Sequence, residues 1–219
     1  MAASFKLSIT AIVIFILSGT LLYGQKPTMK EISRSRWVDS VYKSLSDTER
    51  IGQLFMVAAY SGGKDYNEEA ITQLVQNGHV GGLIFMQGTA EAQATQNNKY
   101  QKLAKVPLMI GMDAEWGLGM RLTGVKDLPR QMLIGATMDT ALAYSMGVAV
   151  ADQCKRLGVH VNFAPVVDVN NNPNNPIINA RSFGERKEWV AKLGIAYMRG
   201  MQDNGVMACA KHFPGHGDT

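Results

Sequence analysis

Short apolar runs alternate with amphipathic helical stretches along most of this chain, and few folds accept that pattern. Val80-Gly81-Gly82-Leu83-Ile84-Phe85-Met86 is apolar without a break, as suits a strand buried on both faces. Asn67 to Gln76 reads as the helix before it and Thr89 to Ala104 as the helix after it. The next strand runs from Val106 to Asp113 and ends on a carboxylate. Asp139 can cap a helix carrying Leu142, Met146, Val150 and Leu157, closed by Gly158. His160 to Val169 is another apolar strand, with Asp168 near its end. Trp189, Leu193, Tyr197 and Met201 then stripe a helix stopped by Gly205, and Val206 to Ala210 leads into Lys211-His212. Upstream, Trp37, Val38, Val41, Tyr42 and Leu45 have helical spacing. Ser46 and Glu49 fit a capping box before Ile51 to Val57, which passes from a short helix into the first strand.

Strands and helices in this order specify a parallel α/β fold, either an open doubly wound sheet or a (β/α)8 barrel. No G-x-G-x-x-G follows the first strand, which removes the dinucleotide-binding form of the open sheet. Polar residues gather after several strands, as Asp113, Asp168, Lys211 and His212, and charge at many strand ends marks the active face of a barrel. The expected fold class is therefore α/β, a partial (β/α)8 TIM-like barrel with about five of its eight β/α units. A complete barrel takes about 250 residues. The chain has 219 and stops in a Gly-rich loop, so a domain truncated at its C-terminus is expected.

The first 24 residues stand apart. Lys6 precedes the apolar run Leu7 to Leu22, and Tyr23-Gly24-Gln25 follows, the layout of a secretory signal peptide. Cleavage after Gly24 would leave 195 residues, starting with a lead-in helix over 25–44 and then the domain over 45–219. The expected location is periplasmic or extracellular, with no membrane contact after cleavage; an uncleaved anchor is the alternative. Export permits a disulfide, but Cys154 and Cys209 are read as two buried, unpaired thiols. Lys and Arg number 22 against 18 Asp and Glu, and the basic residues are scattered, so no nucleic-acid partner is expected.

Three segments carry chemistry. In Lys211-His212-Phe213-Pro214-Gly215-His216-Gly217-Asp218-Thr219, the two His have the i, i+4 spacing of a zinc pair. That geometry needs a continuous helix, which Pro214-Gly215 breaks, so no metal is expected. Lys211 and His212 can instead hydrogen-bond the hydroxyls of a polar substrate, or the segment is a structural turn. In Ile110-Gly111-Met112-Asp113-Ala114-Glu115-Trp116-Gly117, a carboxylate at a strand mouth can accept two hydrogen bonds from adjacent hydroxyls. Trp116 offers either an apolar face or core packing, and Arg121 lies within a short loop of Asp113. Asn179-Ala180-Arg181-Ser182-Phe183-Gly184 follows Asn170 to Pro176, read as a surface excursion. There Arg181 is either a ligand group or an ion-pair partner.

These segments resemble the N-terminal barrel domain of family 3 glycoside hydrolases, in the bacterial β-N-acetylhexosaminidase branch, over roughly Leu45 to Thr219. The motifs are Ile51-Gly52-Gln53-Leu54-Phe55, Met112-Asp113-Ala114-Glu115-Trp116-Gly117, Ala164-Pro165-Val166-Val167-Asp168, Arg181-Ser182-Phe183-Gly184 and, most specific, Lys211-His212-Phe213-Pro214-Gly215-His216-Gly217. The chain departs at Trp116, where many relatives have Gly, a change that would alter the sugar pocket. The resemblance implies a barrel without metal or cofactor that cleaves a β-N-acetylglucosaminide with retention. It also implies that Asp113, Arg121, Arg181, Lys211 and His212 bind the sugar beside the scissile bond. Retention uses a nucleophile and an acid/base group held close together. The resemblance places the Asp nucleophile and the His–Asp acid/base pair beyond Thr219, so no catalytic residue is expected within the chain. A β-glucosidase of the same family and a non-catalytic sugar-binding remnant are the competing readings.

Overall fold

The computed structural model describes residues 35–217, so the signal-peptide reading and the first part of the lead-in segment lie outside the described residues. Two compact units divide at Leu45. In the first, α1 (Arg36–Ser44) is capped by Ser35, whose side chain accepts from the Val38 N–H. The helix matches its sequence spacing, yet none of its side chains is buried, and Trp37 and Tyr42 are exposed.

The second unit, from Ser46 onward, opens with α2 (Asp47–Gly52), and its capping box closes as expected. Glu49 also reaches Lys105 at 2.9 Å, and that ammonium, with the Ser46 amide, holds its carboxyl down to about 2. Then follow β1 (Met56–Ala59), α3 (Glu68–Gln76), β2 (Gly82–Phe85), β3 (Gly88–Thr89) and α4 (Ala90–Leu103). Next come β4 (Met109–Met112), β5 (Leu122–Thr123), α5 (Gln131–Thr137), α6 (Thr140–Arg156), β6 (Val161–Asn162), α7 (Lys187–Gln202) and β7 (Met207–Ala208). Single 3-10 turns occupy Leu118–Met120 and Asn179–Arg181. No described helix is long and apolar enough to cross a membrane.

Sheet order decides between the two expected folds. Five strands pair in parallel in the order β1-β2-β4-β6-β7, each beside the next long-crossover strand in the chain. A doubly wound sheet reverses its order at a switch point; a barrel adds its staves in sequence. The order is that of a partial barrel. Leu83 and Phe85 share a face with Ile110 and Met112 by register, and all four are fully buried. The other face carries Ile84, and there glycine makes room: a Cβ on Gly111 would meet the Phe163 ring at 2.9 Å and the Met56 sulfur at 3.1 Å.

Two expectations need correction. The strand over His160–Val169 pairs regularly at only Val161 and Asn162, because the Ala164 N–H turns back to the Asn162 carbonyl and Pro165 has no N–H to donate. Pairing resumes as one bridge between Val166 and Lys211. Cys154 is buried and free, its thiol pushed up to about 12 by desolvation, but Cys209 is exposed, since it follows the edge strand β7. The sequence reading also missed α5 and the small parallel pair β3–β5.

Helices α6 and α7 pack through glycine. A Cβ on Gly147 would lie 2.2 Å from the Tyr197 carbonyl oxygen, and one on Gly200 would lie 2.2 Å from that of Tyr144. Any side chain there must push the helices apart. Gly147→Val is expected to destabilise the protein by roughly 1–3 kcal/mol or more through overpacking, read as a lower urea midpoint with unchanged slope. An unchanged midpoint would show that the helices separate at little cost.

Candidate active site

The strand ends converge on one cavity of about 400 Å³, lined by Asp113, Glu115, Arg121, Arg181, Lys211 and His212 together with Ile84, Met120 and Phe163. All five residues singled out in the sequence therefore share one site. Asp113 leaves the end of β4, and Arg121 follows the 3-10 turn that begins at Leu118. Arg181 closes the second such turn, and Lys211 and His212 lie just beyond β7. Asn179 opens the Arg181 turn at φ 37°, a left-handed conformation that Asn tolerates better than most residues.

Two carboxylates and three cations interlock here. Asp113 Oδ2 accepts from Arg121 Nη2 at 2.6 Å, and its Oδ1 accepts from Lys211 Nζ at 2.8 Å. Lys211 Nζ also lies 2.8 Å from Glu115 Oε1. Arg181 grips Glu115 with two nitrogens, Nε to Oε2 at 3.0 Å and Nη2 to Oε1 at 2.8 Å, while its Nη1 donates to the Ile177 carbonyl. Burial works to raise the Asp113 carboxyl, but Lys211 and Arg121 prevail and hold it below its ordinary value. The balance at Glu115 is the same, with Arg181 and Lys211 outweighing burial. Glu115 in turn raises Arg181. Arg181 is thus an ion-pair partner that also lines the cavity.

Glu115 was missed as a site residue. Its motif was quoted, but an acidic residue two places after a strand end looks solvent-exposed in sequence, and its side chain is in fact fully buried. Of the two readings of Trp116, core packing holds, and the side chain does not line this cavity. It packs against the core with the Arg130 guanidinium 4.6 Å from its ring.

Buried amides brace the strand mouths. Asn162 accepts from the Ala114 N–H at 2.9 Å and donates to the Ala114 carbonyl at 3.0 Å, fixing the backbone between Asp113 and Glu115. Gln131 makes the same pair of bonds to Val166. Tyr197, fully buried, donates its hydroxyl to the Glu115 carbonyl.

Asp168 organises the Lys211–Gly217 segment, which is a turn. Its Oδ2 lies 2.6 Å from His212 Nδ1 and accepts from the His212 N–H at 3.2 Å; its Oδ1 accepts from the His216 N–H at 2.7 Å. The His212 and His216 rings meet edge to face. Asn175 donates to the His216 carbonyl at 2.8 Å and is 1% exposed, so the segment read as a surface excursion in fact supports the site.

Comparison with known proteins identifies the family. The model of the Glycosyl hydrolase family 3 N terminal domain matches residues 47–219. The chain is 38% identical over 162 residues to Beta-hexosaminidase A of Pseudoalteromonas piscicida, covering 68% of this chain and 27% of the relative. It is 32% identical to Beta-N-acetylglucosaminidase/beta-glucosidase of Cellulomonas fimi, covering 83% of this chain and 31% of the relative. A solved family 3 β-N-acetylglucosaminidase from Paenibacillus sp. str. FPU-7 superposes with a TM-score of 0.71 at 39% identity, over 80% of this chain and 34% of that one. The chain thus spans about a third or less of these relatives. With ordered parallel staves, polar groups gathered at their ends and a family match across nearly the whole second unit, the chain belongs to glycosyl hydrolase family 3 through its N-terminal domain.

Proposed function

We propose that the chain supplies the sugar-binding part of an exported, retaining β-N-acetylhexosaminidase, which removes terminal β-linked N-acetylglucosamine from peptidoglycan fragments or related oligosaccharides. The observation that carries this reading is the cluster around Asp113. Each of its oxygens already accepts from one cation, which orients the carboxylate and leaves further lone pairs for two neighbouring sugar hydroxyls. Arg121 lines the same cavity and steadies Asp113, and its buried Nε has no hydrogen-bond partner among the described residues. His212 completes the rim. The acid/base His–Asp pair and the Asp nucleophile that retention requires are assigned to sequence beyond Thr219. The apolar run at the N-terminus supports export.

The test is hydrolysis of aryl glycosides by the full-length protein. Release of the aryl group from a β-N-acetylglucosaminide, at least tenfold faster than from the matching β-glucoside, is the expected result. A preference for the β-glucoside would favour the β-glucosidase activity for which the Cellulomonas relative is also named. Sugar binding without turnover would leave a non-catalytic barrel.

A further inference from the structure

Asp168 touches no part of the cluster around Asp113, yet it holds more of the Lys211–His216 turn than any other side chain described. Its own side chain is fully buried. Three donors from that turn converge on its two oxygens, and the turn carries two of the cavity-lining residues, Lys211 and His212. A carboxylate can only accept hydrogen bonds, so the imidazole nitrogen facing it, Nδ1 at 2.6 Å, must carry the proton. In a neutral ring, Nε2 then bears the lone pair.

We propose that Asp168 is a positioning residue that locks His212 in the Nδ1–H form, so that the ring meets the substrate as a hydrogen-bond acceptor through Nε2. This rests on the saccharide-binding reading of the cavity. It also divides the polar work there. Lys211 and Arg121 are obligate donors and Asp113 is an obligate acceptor; a His212 fixed as acceptor adds a second, softer contact for a hydroxyl. The consequence for specificity is that a substituent at that position must donate: a hydroxyl satisfies it, and an ether or a fluorine does not.

Asp168→Asn separates this role from simple bracing, because it preserves shape and removes one acceptor. If the amide oxygen turns to the His216 N–H, the amide N–H2 faces His212 and favours a bare Nδ1, which moves the ring proton to Nε2. If the oxygen turns to His212 instead, the His216 N–H meets a donor and the turn loosens. The first arrangement is expected: it gives up only the longer backbone bond, from the His212 N–H at 3.2 Å, keeps the shorter one from the His216 N–H at 2.7 Å, and leaves His212 Nδ1 as an acceptor for the new amide donor.

The deciding measurement is the nitrogen NMR spectrum of histidine-labelled full-length protein, taken on the alkaline side where an imidazole carries one proton. His212, identified by its disappearance in His212→Gln, is expected to show a protonated Nδ1 and a bare Nε2. Asp168→Asn is expected to shift that pattern toward a protonated Nε2 and to weaken N-acetylglucosamine binding about tenfold, the equivalent of one neutral hydrogen bond. A wild-type His212 protonated at Nε2 would overturn the proposal with no variant needed. So would an Asp168→Asn protein that keeps both the wild-type tautomer and the wild-type affinity. Wild-type protein that binds no amino sugar at all would refute the saccharide reading instead, and the spectrum would still decide what Asp168 does to the ring.

Discussion

Asp113→Ala in the full-length protein is expected to lower kcat/KM on an aryl β-N-acetylglucosaminide by about three orders of magnitude. Two charge-assisted hydrogen bonds to the sugar disappear, each worth roughly 1.5–3 kcal/mol. The loss is larger than for a lone surface contact, because Arg121 and Lys211 then lack their shared anion and move toward other partners. Asp113→Asn should fall between the two, since it keeps one acceptor oxygen but not the charge. The check is steady-state kinetics beside a thermal melt, to separate lost binding from lost fold. Activity within threefold of wild type would place the sugar elsewhere.

The largest stability effect is expected at Glu115. Its side chain is fully buried, takes both forks of Arg181 and lies beside the Lys211 ammonium. Glu115→Ala leaves two largely buried cations facing a void, and breaking a buried pair in this way typically costs about 3–5 kcal/mol. The effect should depend on pH. Arg181 and Lys211 hold the folded-state carboxyl below its ordinary value of 4.5 against the opposing push of burial. A depressed folded value means that the stabilisation is present above 4.5 and drains away as the pH falls below it. Asp113 behaves likewise below 3.8. Glu115→Gln should therefore flatten the acid limb of the stability curve while lowering its neutral plateau, as read from melting temperatures across an acid titration. Parallel acid limbs for variant and wild type would rule out Glu115 as a source of the pH dependence.

Much of the site was legible because its residues sit where strands end. Asp113, Lys211 and His212 each follow an apolar run, and that position alone brought them to one face. Arg181 was open to two readings in the sequence; only the structure shows its guanidinium bound to Glu115. Asn162 and Gln131 gave no signal, since an amide within or just outside an apolar segment looks no different from a surface residue. Cys209 was misjudged for the converse reason: its apolar neighbours suggested burial, and its place beside an edge strand exposes it.

Local pattern settled where most of the longer helices and buried strands form, because amphipathic helices repeat every 3.6 residues and strands buried on both faces are continuously apolar. Capping chemistry set several helix starts in the same way, at Ser46, Thr89 and Asp139. The apolar strands and intervening helices also required parallel pairing, since a crossover helix returns the chain to the end of the sheet where the previous strand began. What sequence could not supply is which strands become neighbours and which charges meet. Those depend on contacts spanning 98 residues between Asp113 and Lys211, or 66 between Glu115 and Arg181. No local propensity encodes such a pairing. Only closure of the staves in sequence order brings those groups within hydrogen-bond reach, and burial then makes each charge depend on the others.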